Sequence, residues 1–282
     1  MKDLDGKTAV VTGGASGIGL AIVHALAKRG CRVAILDVEA EALDAAIAQL
    51  RQEGSNADVR GFVSDVTLRQ SVDDAAKEVL EAFGTVNLVF ANAGVGGGAG
   101  PVGDVTPRDW QWVIGVNLMG MIHTVDAFLP ALRANGEPGQ IVYTASMAGM
   151  IAPPNMAPYA ATKFATVAMA EALSAELTGS PIHVSVLCPG FVSTRIHESE
   201  RNRPADLAAT PKATDEVMSA IVKGLVTSGI PADTAAERVL EAIAAEEFYI
   251  FTHPDMRGAV EQRFERIMAG FDAAAASKAL AG

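Results

Sequence analysis

Near its N-terminus the chain reads Thr8-Ala9-Val10-Val11-Thr12-Gly13-Gly14-Ala15-Ser16-Gly17-Ile18-Gly19, an apolar run that passes into a cluster of glycines. The apolar run predicts a short buried β-strand, and the residues after Gly17 are apolar at helical spacing. The glycines therefore lie where a strand passes into a helix, and free backbone N–H groups at the positive helix end can bind a pyrophosphate there. Glycine has no side chain to keep the anion away. This position predicts a phosphate-binding turn that includes Gly13, Gly17 and Gly19.

The second predicted strand, residues 32–37, ends in a carboxylate, Asp37, which follows Gly19 by 18 residues. At this distance from the glycine turn an acid can accept hydrogen bonds from an adenosine ribose and repel a 2′-phosphate. The basic residues that would favour a 2′-phosphate are absent from positions 14–16 and 38–39. Asp is also a common N-cap of a following helix, and the two roles are compatible. The pattern favours NAD over NADP as the cofactor.

Tyr159 and Lys163 lie four residues apart in a segment with helical spacing, so their side chains share one face of a helix. An ammonium group beside a phenol favours the phenolate and lowers a pKa that is ordinarily about 10. A tyrosine with a lowered pKa can exchange a proton with a substrate hydroxyl near neutral pH. By itself such a pair is more often an exposed helical contact. Ser146, which lies thirteen residues before Tyr159, together with Asn117 and the glycine turn, favours the catalytic interpretation.

These motifs follow the order typical of the short-chain dehydrogenase/reductase family, which the chain resembles from about Lys7 to about Arg195 and more loosely beyond. The glycine spacing is Gly-x-x-x-Gly-x-Gly, unlike the Gly-x-Gly-x-x-Gly of longer dehydrogenases, and the family's serine also precedes its tyrosine by thirteen residues. Further motifs of the family occur in order: Asp65-Val66 after the third predicted strand, Asn92-Ala93-Gly94 after the fourth, and Pro189-Gly190 after the sixth. The resemblance implies a single-domain, doubly wound Rossmann fold.

The resemblance implies a catalytic group of four residues. Tyr159 would be the general acid/base, and Lys163 would bind the nicotinamide ribose and lower the tyrosine pKa. Ser146 would hydrogen-bond the substrate oxygen, and Asn117 would bind, through its backbone, a water that links Lys163 to solvent. Considered one at a time, Asn117 is more often a solvated helix residue and Ser146 a turn residue at a strand end.

The resemblance also implies a set of cofactor contacts. Asp65 would meet the adenine amine, although it can also cap a helix, and Asn92 would line the adenosine side. Val192 and Thr194 would hold the carboxamide, and Ile18 would pack near the cofactor. The complete implied set is Gly13, Ser16, Gly17, Ile18, Gly19, Asp37, Asp65, Val66, Asn92, Ala93, Gly94, Tyr159, Lys163, Pro189, Gly190, Val192 and Thr194.

The implied activity is the NAD(H)-dependent interconversion of a secondary alcohol and its ketone. Tyr159 takes or returns the alcohol proton while a hydride passes between the carbinol carbon and the nicotinamide, so the cofactor carries the redox chemistry. The five histidines show no close ligand spacing and neither cysteine forms a ligand motif with one, so we predict no metal site. Two alternatives are an NADPH-type reductase of carrier-bound 3-oxoacyl chains, which Asp37 and the acidic charge disfavour, and a non-catalytic NAD(H)-binding scaffold, which the complete catalytic group disfavours.

The composition is that of one large α/β domain over residues 1–282, with 50% hydrophobic residues. A net charge of −11 argues against nucleic acids and anionic membranes as partners, because they need clustered cations. Cys31 and Cys188 are interpreted as small core residues of a reducing compartment, not as a disulfide. The N-terminus is too polar for a signal peptide, and we expect no apolar run of the roughly 18–20 residues that span a membrane. These features predict a cytoplasmic protein.

Strand-like runs alternate with helical ones, which predicts βαβ units and a parallel sheet of seven strands with helices on both faces. The predicted strands lie near 8–12, 32–37, 58–63, 86–91, 139–145, 182–188 and 248–252, and the predicted helices include 39–53, 68–83, 107–133 and 156–177. Ligands of such a sheet bind at the carboxyl ends of its strands. Residues 190–230 are predicted to form a lid over the cofactor. Residues 253–282 form a C-terminal extension whose tail is expected to fray from Ala273.

The predicted substrate pocket is apolar near the catalytic serine and tyrosine, and the residues expected to face it are Met147, Met150, Ile151 and Met156. Such a pocket favours a hydrophobic alcohol or ketone over a sugar. The glycine-rich loop 95–101 and the lid are expected to control which substrate enters. Arg195 or Arg203 of the lid can clamp a substrate carboxylate. Ion pairs within a solvated lid are the more common outcome for such residues.

The helix predicted near 156–177 is apolar nearly all round, so more than one of its faces needs cover. Members of the family usually pair this helix across a two-fold axis. The resemblance therefore implies a homotetramer, with a dimer as the alternative.

Overall fold

The structure, a computed structural model, describes residues 1–208 and 213–280 of the chain. Positions 209–212 of the predicted lid and the last two residues of the predicted extension lie outside the described residues. In the described part the strands are β1 (Thr8–Thr12), β2 (Arg32–Asp37), β3 (Val59–Val63), β4 (Leu88–Ala91), β5 (Gly139–Thr144), β6 (Ile182–Cys188), β7 (Val192–Ser193), β8 (Ile230–Pro231) and β9 (Tyr249–Phe251).

Seven of these strands form one parallel sheet in the order β3-β2-β1-β4-β5-β6-β9. This arrangement confirms the predicted doubly wound α/β fold, including its seven strands. The other two strands, β7 and β8, pair with each other through Val192 and Ile230 at the base of the lid. Because β1 lies between β2 and β4, connections leave it in both directions and open a crevice at the carboxyl ends of the strands.

The helices of the described part are α1 (Gly17–Ala27), α2 (Ala40–Gln52), α3 (Arg69–Phe83), α4 (Pro107–Ile114), α5 (Gly120–Asn135), α6 (Ala157–Glu176), α7 (Ala213–Thr227), α8 (Ala232–Ala244) and α9 (Arg257–Ala275). The predicted helix 107–133 is therefore divided by a π-helical turn, Gly115–Met119, that joins α4 to α5. The helix α9 continues to Ala275, three residues into the tail that was expected to fray.

Helices cover both faces of the sheet and bury its apolar side chains. On one face α1 and α8 pack through Ile22, Leu26 and Ile243, all fully buried. On the other face α3 and α5 contribute Val79 and Phe128, which are equally buried. Each side chain of this size contributes about 1.5–3 kcal/mol when it leaves water. These two hydrophobic cores support the carboxyl ends of the strands, where the predicted site residues lie.

One helical segment, Pro107–Asn135, is long and apolar enough to cross a membrane by length and composition, contrary to our expectation that no such run exists. Half of its apolar window is buried inside the protein. There the side chains of Trp112, Met121 and Phe128 lie in the protein interior. Packing within the domain therefore accounts for the hydropathy of this segment.

Both cysteines, Cys31 and Cys188, are buried free thiols, as predicted. Burial raises the pKa of Cys31 to about 11 and that of Cys188 to about 12.

Candidate functional site

The carboxyl ends of the central strands open into a pocket with a volume of about 760 Å³. The predicted residues that line it are Gly13, Ser16, Gly17, Ile18, Asp37, Asp65, Val66, Asn92, Ala93, Gly94, Ser146, Tyr159, Lys163, Pro189, Gly190, Val192 and Thr194. Two other predicted residues, Gly19 and Asn117, are buried behind its wall. The topology therefore brings the predicted site residues together at the switch point of the sheet.

The glycine turn is packed so closely that side chains cannot replace its glycines. Gly13 has a φ of +62°, and a Cβ atom at this position would lie 2.8 Å from the Cα atom of Ala93. A Cβ atom at Gly19 would lie 2.2 Å from the carbonyl oxygen of Gly13. The helix α1 begins at Gly17, and Ser16 before it makes no side-chain hydrogen bond to cap the helix. A helix end of this kind favours an anion.

Asp37 ends β2 beside the glycine turn and is 9% exposed. Its Oδ2 atom accepts the N–H of Ala15 at 3.0 Å, and its Oδ1 atom accepts the N–H of Glu39 at 3.2 Å. Burial raises the pKa of this carboxyl group, and the two backbone hydrogen bonds oppose the rise. The N-cap position of α2 is Glu39, so the alternative role of Asp37 as that cap is wrong.

Arg201 and Asn202, from the segment predicted as a lid, lie at the pocket edge beside Asp37 and are bound there by Glu39. The carboxylate of Glu39 accepts hydrogen bonds from Arg201 at 2.8 Å and from Asn202 at 2.8 Å. The Arg201 guanidinium, more than any other neighbour, holds the pKa of Glu39 below its ordinary value. These contacts hold this segment at this end of the pocket.

The side chains of Asp65 and Asn92 reach the pocket wall but are used within the protein. Asp65 accepts hydrogen bonds from the N–H and the hydroxyl of Thr67, at 2.9 and 2.7 Å, in a local turn. Asn92 donates to the carbonyl of Thr12 at 3.0 Å and accepts from the hydroxyl of Thr144 at 3.1 Å. Asn92 therefore ties β4 to the ends of its two neighbouring strands and fixes the geometry of the glycine turn.

Asn117 lies in the π-helical turn and is fully buried, so the solvated-helix alternative is wrong. Its amide oxygen accepts the N–H of Val95 at 2.8 Å, and its amide nitrogen donates to the carbonyl of the same residue at 2.9 Å. A Cβ atom at Gly94 would lie 3.5 Å from both the Asn117 oxygen and Lys163 Nζ. Asn117 thus shapes the loop after β4 immediately beside Lys163. Turns of this kind often occur at functional sites.

Tyr159 and Lys163 extend from the first turns of α6 to the same pocket wall, and Lys163 Nζ lies 5.5 Å from the centroid of the Tyr159 ring. The ammonium group donates a hydrogen bond to the carbonyl oxygen of Thr144 at 2.8 Å. The Lys163 residue is 3% exposed. Burial lowers the pKa of Lys163 to about 8, and the nearby Cys188 thiol opposes this fall.

Burial raises the pKa of Tyr159, and the hydroxyl of Ser146 acts in the opposite direction. Our prediction that the neighbouring ammonium lowers the phenol pKa is therefore wrong for the protein alone. The physical reason is that burial removes the phenolate from water, and that Lys163, with a pKa of about 8, loses its charge before a phenol with a raised pKa ionises. Tyr159 and Lys163 line the same pocket, as their spacing predicted, but burial decides the direction of the Tyr159 pKa shift.

Ser146 has the turn role that was considered for it, and it also lines the pocket. It caps a short 3₁₀ turn, Met147–Gly149, by accepting the N–H of Ala148 at 3.1 Å. Its hydroxyl also lies 3.5 Å from the carbonyl oxygen of Pro189. The turn aims the serine side chain into the pocket next to Tyr159.

Apolar side chains line the pocket near Ser146 and along other parts of its wall. Three of the residues predicted to face it do so: Met147, Ile151 and Met156. The prediction for Met150 is wrong, because its side chain turns into the core on the α5 and α6 side of the sheet. Six further apolar residues line the pocket without having been singled out from the sequence, because they come from segments far apart in the chain. Three belong to the predicted lid (Phe191, Val222 and Val226), and the others are Trp112, Val116 and Met256.

The two lid arginines proposed as substrate clamps both bind protein carboxylates. Arg203 forms an ion pair with Asp109 at 2.8 Å, its side chain is 4% exposed, and its guanidinium lies 4.8 Å from the ring centre of Trp112. Arg195 pairs with Glu198 at 2.7 Å. The expected alternative, an ion pair within the predicted lid, is present at both arginines, because Arg203 also pairs with Glu200 at 3.2 Å. Through Asp109, Arg203 in addition attaches this segment to α4.

The residues of the pocket fit a dinucleotide. The closely packed glycines leave space where side chains would stand, and the α1 N-terminus offers a site for a pyrophosphate. Asp37 and Ser146 lie at the ends of β2 and β5, which are three strands apart in the sheet. At about 4.8 Å per strand this separation is about 14 Å, enough for an extended dinucleotide.

The family model for short chain dehydrogenase matches residues 7–205, and the chain belongs to this family of oxidoreductases. The chain is 37% identical over 265 residues to a 1-deoxy-11-beta-hydroxypentalenate dehydrogenase of Streptomyces avermitilis, covering 94% of this chain and 91% of the relative. It is 34% identical over 276 residues to a CLA biosynthesis dehydrogenase/reductase of Lactiplantibacillus plantarum, covering 95% of each. The crystal structure of a short chain dehydrogenase/reductase from Burkholderia phymatum in complex with NAD is similar, with a TM-score of 0.92 and 39% identity over 96% of this chain and 97% of that one.

Proposed function

We propose that the protein is an NAD(H)-dependent oxidoreductase that interconverts a hydrophobic secondary alcohol and its ketone. The observation that carries this proposal is the convergence of Ser146, Tyr159 and the buried Lys163 on one wall of a pocket that also holds Asp37 and the glycine turn. A group that can exchange a proton, a hydroxyl beside it and a buried cation thus lie within reach of a dinucleotide site.

In this mechanism a bound nicotinamide supplies the hydride chemistry. Tyr159 exchanges a proton with the substrate oxygen through its hydroxyl, and burial keeps that proton on the phenol in the resting protein. Ser146 hydrogen-bonds the same oxygen and stabilises the negative charge that develops on it. Lys163, with a pKa of about 8, carries a positive charge at neutral pH and holds it beside the Tyr159 ring.

NAD is the proposed cofactor because acidic groups surround the adenosine end of the pocket. Asp37 and Glu39 both line this end. A 2′-phosphate would meet their negative charge, and the nearby cations Arg201 and Arg195 are already paired with Glu39 and Glu198. The solved relative from Burkholderia phymatum holds NAD, which supports the same choice.

A hydrophobic substrate is proposed because Met147, Ile151 and Trp112 line the pocket that also holds Ser146 and Tyr159. Apolar and flexible side chains of this kind bind apolar ligands without a fixed pattern of hydrogen bonds. The relative from Streptomyces avermitilis is a dehydrogenase of 1-deoxy-11-beta-hydroxypentalenate, and this name guides the choice of test compounds.

We also propose that the protein is a homotetramer, with a dimer as the alternative. The outward face of α6 carries exposed alanines, Ala161, Ala168 and Ala172, whose small side chains allow close approach of a second helix. Light scattering tests the proposal, and Ala168→Arg should reduce the measured mass. A wild-type monomer at micromolar concentration would contradict it.

The function is tested by assaying secondary alcohols and ketones, alicyclic, aryl and polyol, with NAD and NADP while the absorbance of the reduced cofactor is followed. Tyr159→Phe should lower kcat/KM by about 10²–10⁴-fold and leave NADH binding within about twofold. The matched control is Tyr143→Phe, since Tyr143 is a buried core residue. Activity on polyols alone, or full activity of Tyr159→Phe, would overturn the proposal.

A further inference from the structure

His253 lies well beyond residues 7–205, the part of the chain that the family model matches, yet it contacts the site. Its position follows from strand register. The strands β6 and β9 are parallel, and Cys188 pairs with Phe251 at their carboxyl ends. Two residues further along each chain, Gly190 and His253 therefore lie side by side. The predicted Pro189-Gly190 motif thus lies next to His253, a residue of the C-terminal segment.

The imidazole of His253 and the Ser146–Met147 turn bind opposite ends of one peptide group, the one between Pro189 and Gly190. The N–H of this peptide donates a hydrogen bond to His253 Nδ1 at 3.2 Å. Its carbonyl oxygen accepts the N–H of Met147 at 2.8 Å and lies 3.5 Å from the hydroxyl of Ser146. The orientation of this peptide plane is therefore set from both sides.

The ring of His253 also closes the space beside Gly190. A Cβ atom at Gly190 would lie 2.7 Å from Cγ and 2.8 Å from Nδ1 of the ring. Gly190 lines the pocket whereas His253 does not, so the histidine acts through the glycine. Because a backbone N–H can only donate, Nδ1 must be the acceptor, and the neutral ring carries its proton on Nε2. The hydroxyl of Thr252 lies 2.8 Å from the same Nδ1 atom.

We infer that His253 is a positioning residue that orients the Pro189–Gly190 peptide and, through its carbonyl, the Ser146–Met147 turn. The inference rests on the proposed function only in assigning this peptide to the nicotinamide end of the pocket. Rotation of the peptide would remove the acceptor that Met147 N–H uses and would shift Ser146 relative to Tyr159. His253 therefore couples the cofactor site to the catalytic serine.

Three substitutions separate this role from a merely structural one. The Oδ1 atom of Asn occupies about the place of His Nδ1, whereas the side-chain amide of Gln reaches about the place of Nε2. We expect His253→Asn to keep kcat/KM and the Kd for NADH within about twofold of wild type. We expect His253→Gln and His253→Ala to lower kcat/KM and raise the Kd for NADH by about 5- to 10-fold each, as the loss of one hydrogen bond to a partly buried N–H predicts.

Melting temperatures and exchange of the Gly190 amide hydrogen complete the test. The amide should exchange slowly in wild type and His253→Asn and faster in His253→Gln, at similar melting temperatures. If His253→Ala fails to fold, the Asn and Gln variants still decide the matter. Equal behaviour of these two variants, in kinetics and in exchange, would overturn the inference. If the wild type binds no NADH, the proposed function fails, and the exchange comparison alone still tests the role of His253.

Discussion

Replacing Lys163 by Met should stabilise the protein while it removes activity. The residue is 3% exposed, and burial lowers its pKa from 10.5 to about 8. At about 1.36 kcal/mol per pH unit, the buried charge costs about 3 kcal/mol. The substitution also removes the hydrogen bond that Nζ donates to Thr144 at 2.8 Å, a loss of about 1–2 kcal/mol. We therefore expect the free energy of unfolding to rise by about 1–2 kcal/mol at neutral pH.

This gain has a defined pH dependence. The folded-state pKa of Lys163 lies below its value in the unfolded chain, so the unfolded chain binds more protons between about pH 8 and 10.5. The stability of the wild type relative to Lys163→Met therefore rises with pH across that window. Below about pH 8 both states carry the charge, and the difference stays constant. Above the window the charge is gone from both states, and the wild type becomes more stable by its extra hydrogen bond.

Urea denaturation without cofactor, at about pH 7.5 and about pH 10.5, measures the effect. Lys77→Met is the matched control, because the Lys77 side chain is 69% exposed. That control should change the free energy of unfolding by less than about 0.5 kcal/mol. A Lys163→Met variant that unfolds at a lower urea concentration than wild type at pH 7.5 would refute the reasoning.

Three other outcomes are expected. Asp37→Ala should raise the Kd for NAD about 10-fold and reduce the preference for NAD over NADP, as measured by fluorescence titration. An unchanged ratio of the two Kd values would contradict the proposed contact of Asp37 with the ribose. Arg203→Met leaves Asp109 without its partner at an ion pair whose side chains are 4% and 12% exposed. This variant should raise the KM for the alcohol about 10-fold and increase proteolysis within residues 196–207. An unchanged KM together with an unchanged rate of proteolysis would contradict this expectation. Burial raises the pKa of Cys31 to about 11 and that of Cys188 to about 12. Neither cysteine should therefore react with a thiol reagent at pH 8 before the protein unfolds. Labelling of either cysteine in the folded protein would contradict this expectation.

The positions of the seven sheet strands, and of the helices near 39–53, 68–83 and 156–177, could be predicted because each element carries its own local pattern of apolar residues. The ends of strands were less accurate: β4 begins at Leu88 and not near 86, since pairing with β1 decides where it starts. The π-helical turn was missed for a related reason. Its centre, Asn117, is held by hydrogen bonds to Val95, 22 residues earlier, and no local pattern reports such a contact.

Motif spacing selected residues that the structure brings to one pocket, but it did not assign their hydrogen bonds. Asn92 was placed on the pocket wall correctly, whereas its hydrogen bonds to Thr12 and Thr144 depend on the neighbouring strands. The spacing of Arg203 and Asp109, 94 residues apart, shows no sign of their ion pair. Met150 is as apolar as its neighbours, and only the geometry of the 3₁₀ turn sends it into the core. Long-range packing, which a single sequence does not display, decides these details.

The direction of the Tyr159 pKa shift determines where the pH dependence of catalysis should lie. Burial raises this pKa, so with reduced cofactor, whose nicotinamide is uncharged, the phenol stays protonated at neutral pH and can donate to a ketone. We therefore expect kcat/KM for ketone reduction at saturating NADH to be flat across about pH 6–8. The kcat/KM for alcohol oxidation at saturating NAD should rise with pH instead. Oxidation releases a proton, so the equilibrium constant depends on pH, and the rate in at least one direction must show that dependence. A lowered phenol pKa gives the opposite pattern, in which reduction falls through the neutral range while oxidation is flat. Ketone reduction that falls tenfold per pH unit between about 6 and 8 would show that the ammonium of Lys163, and not burial, sets the protonation state of Tyr159.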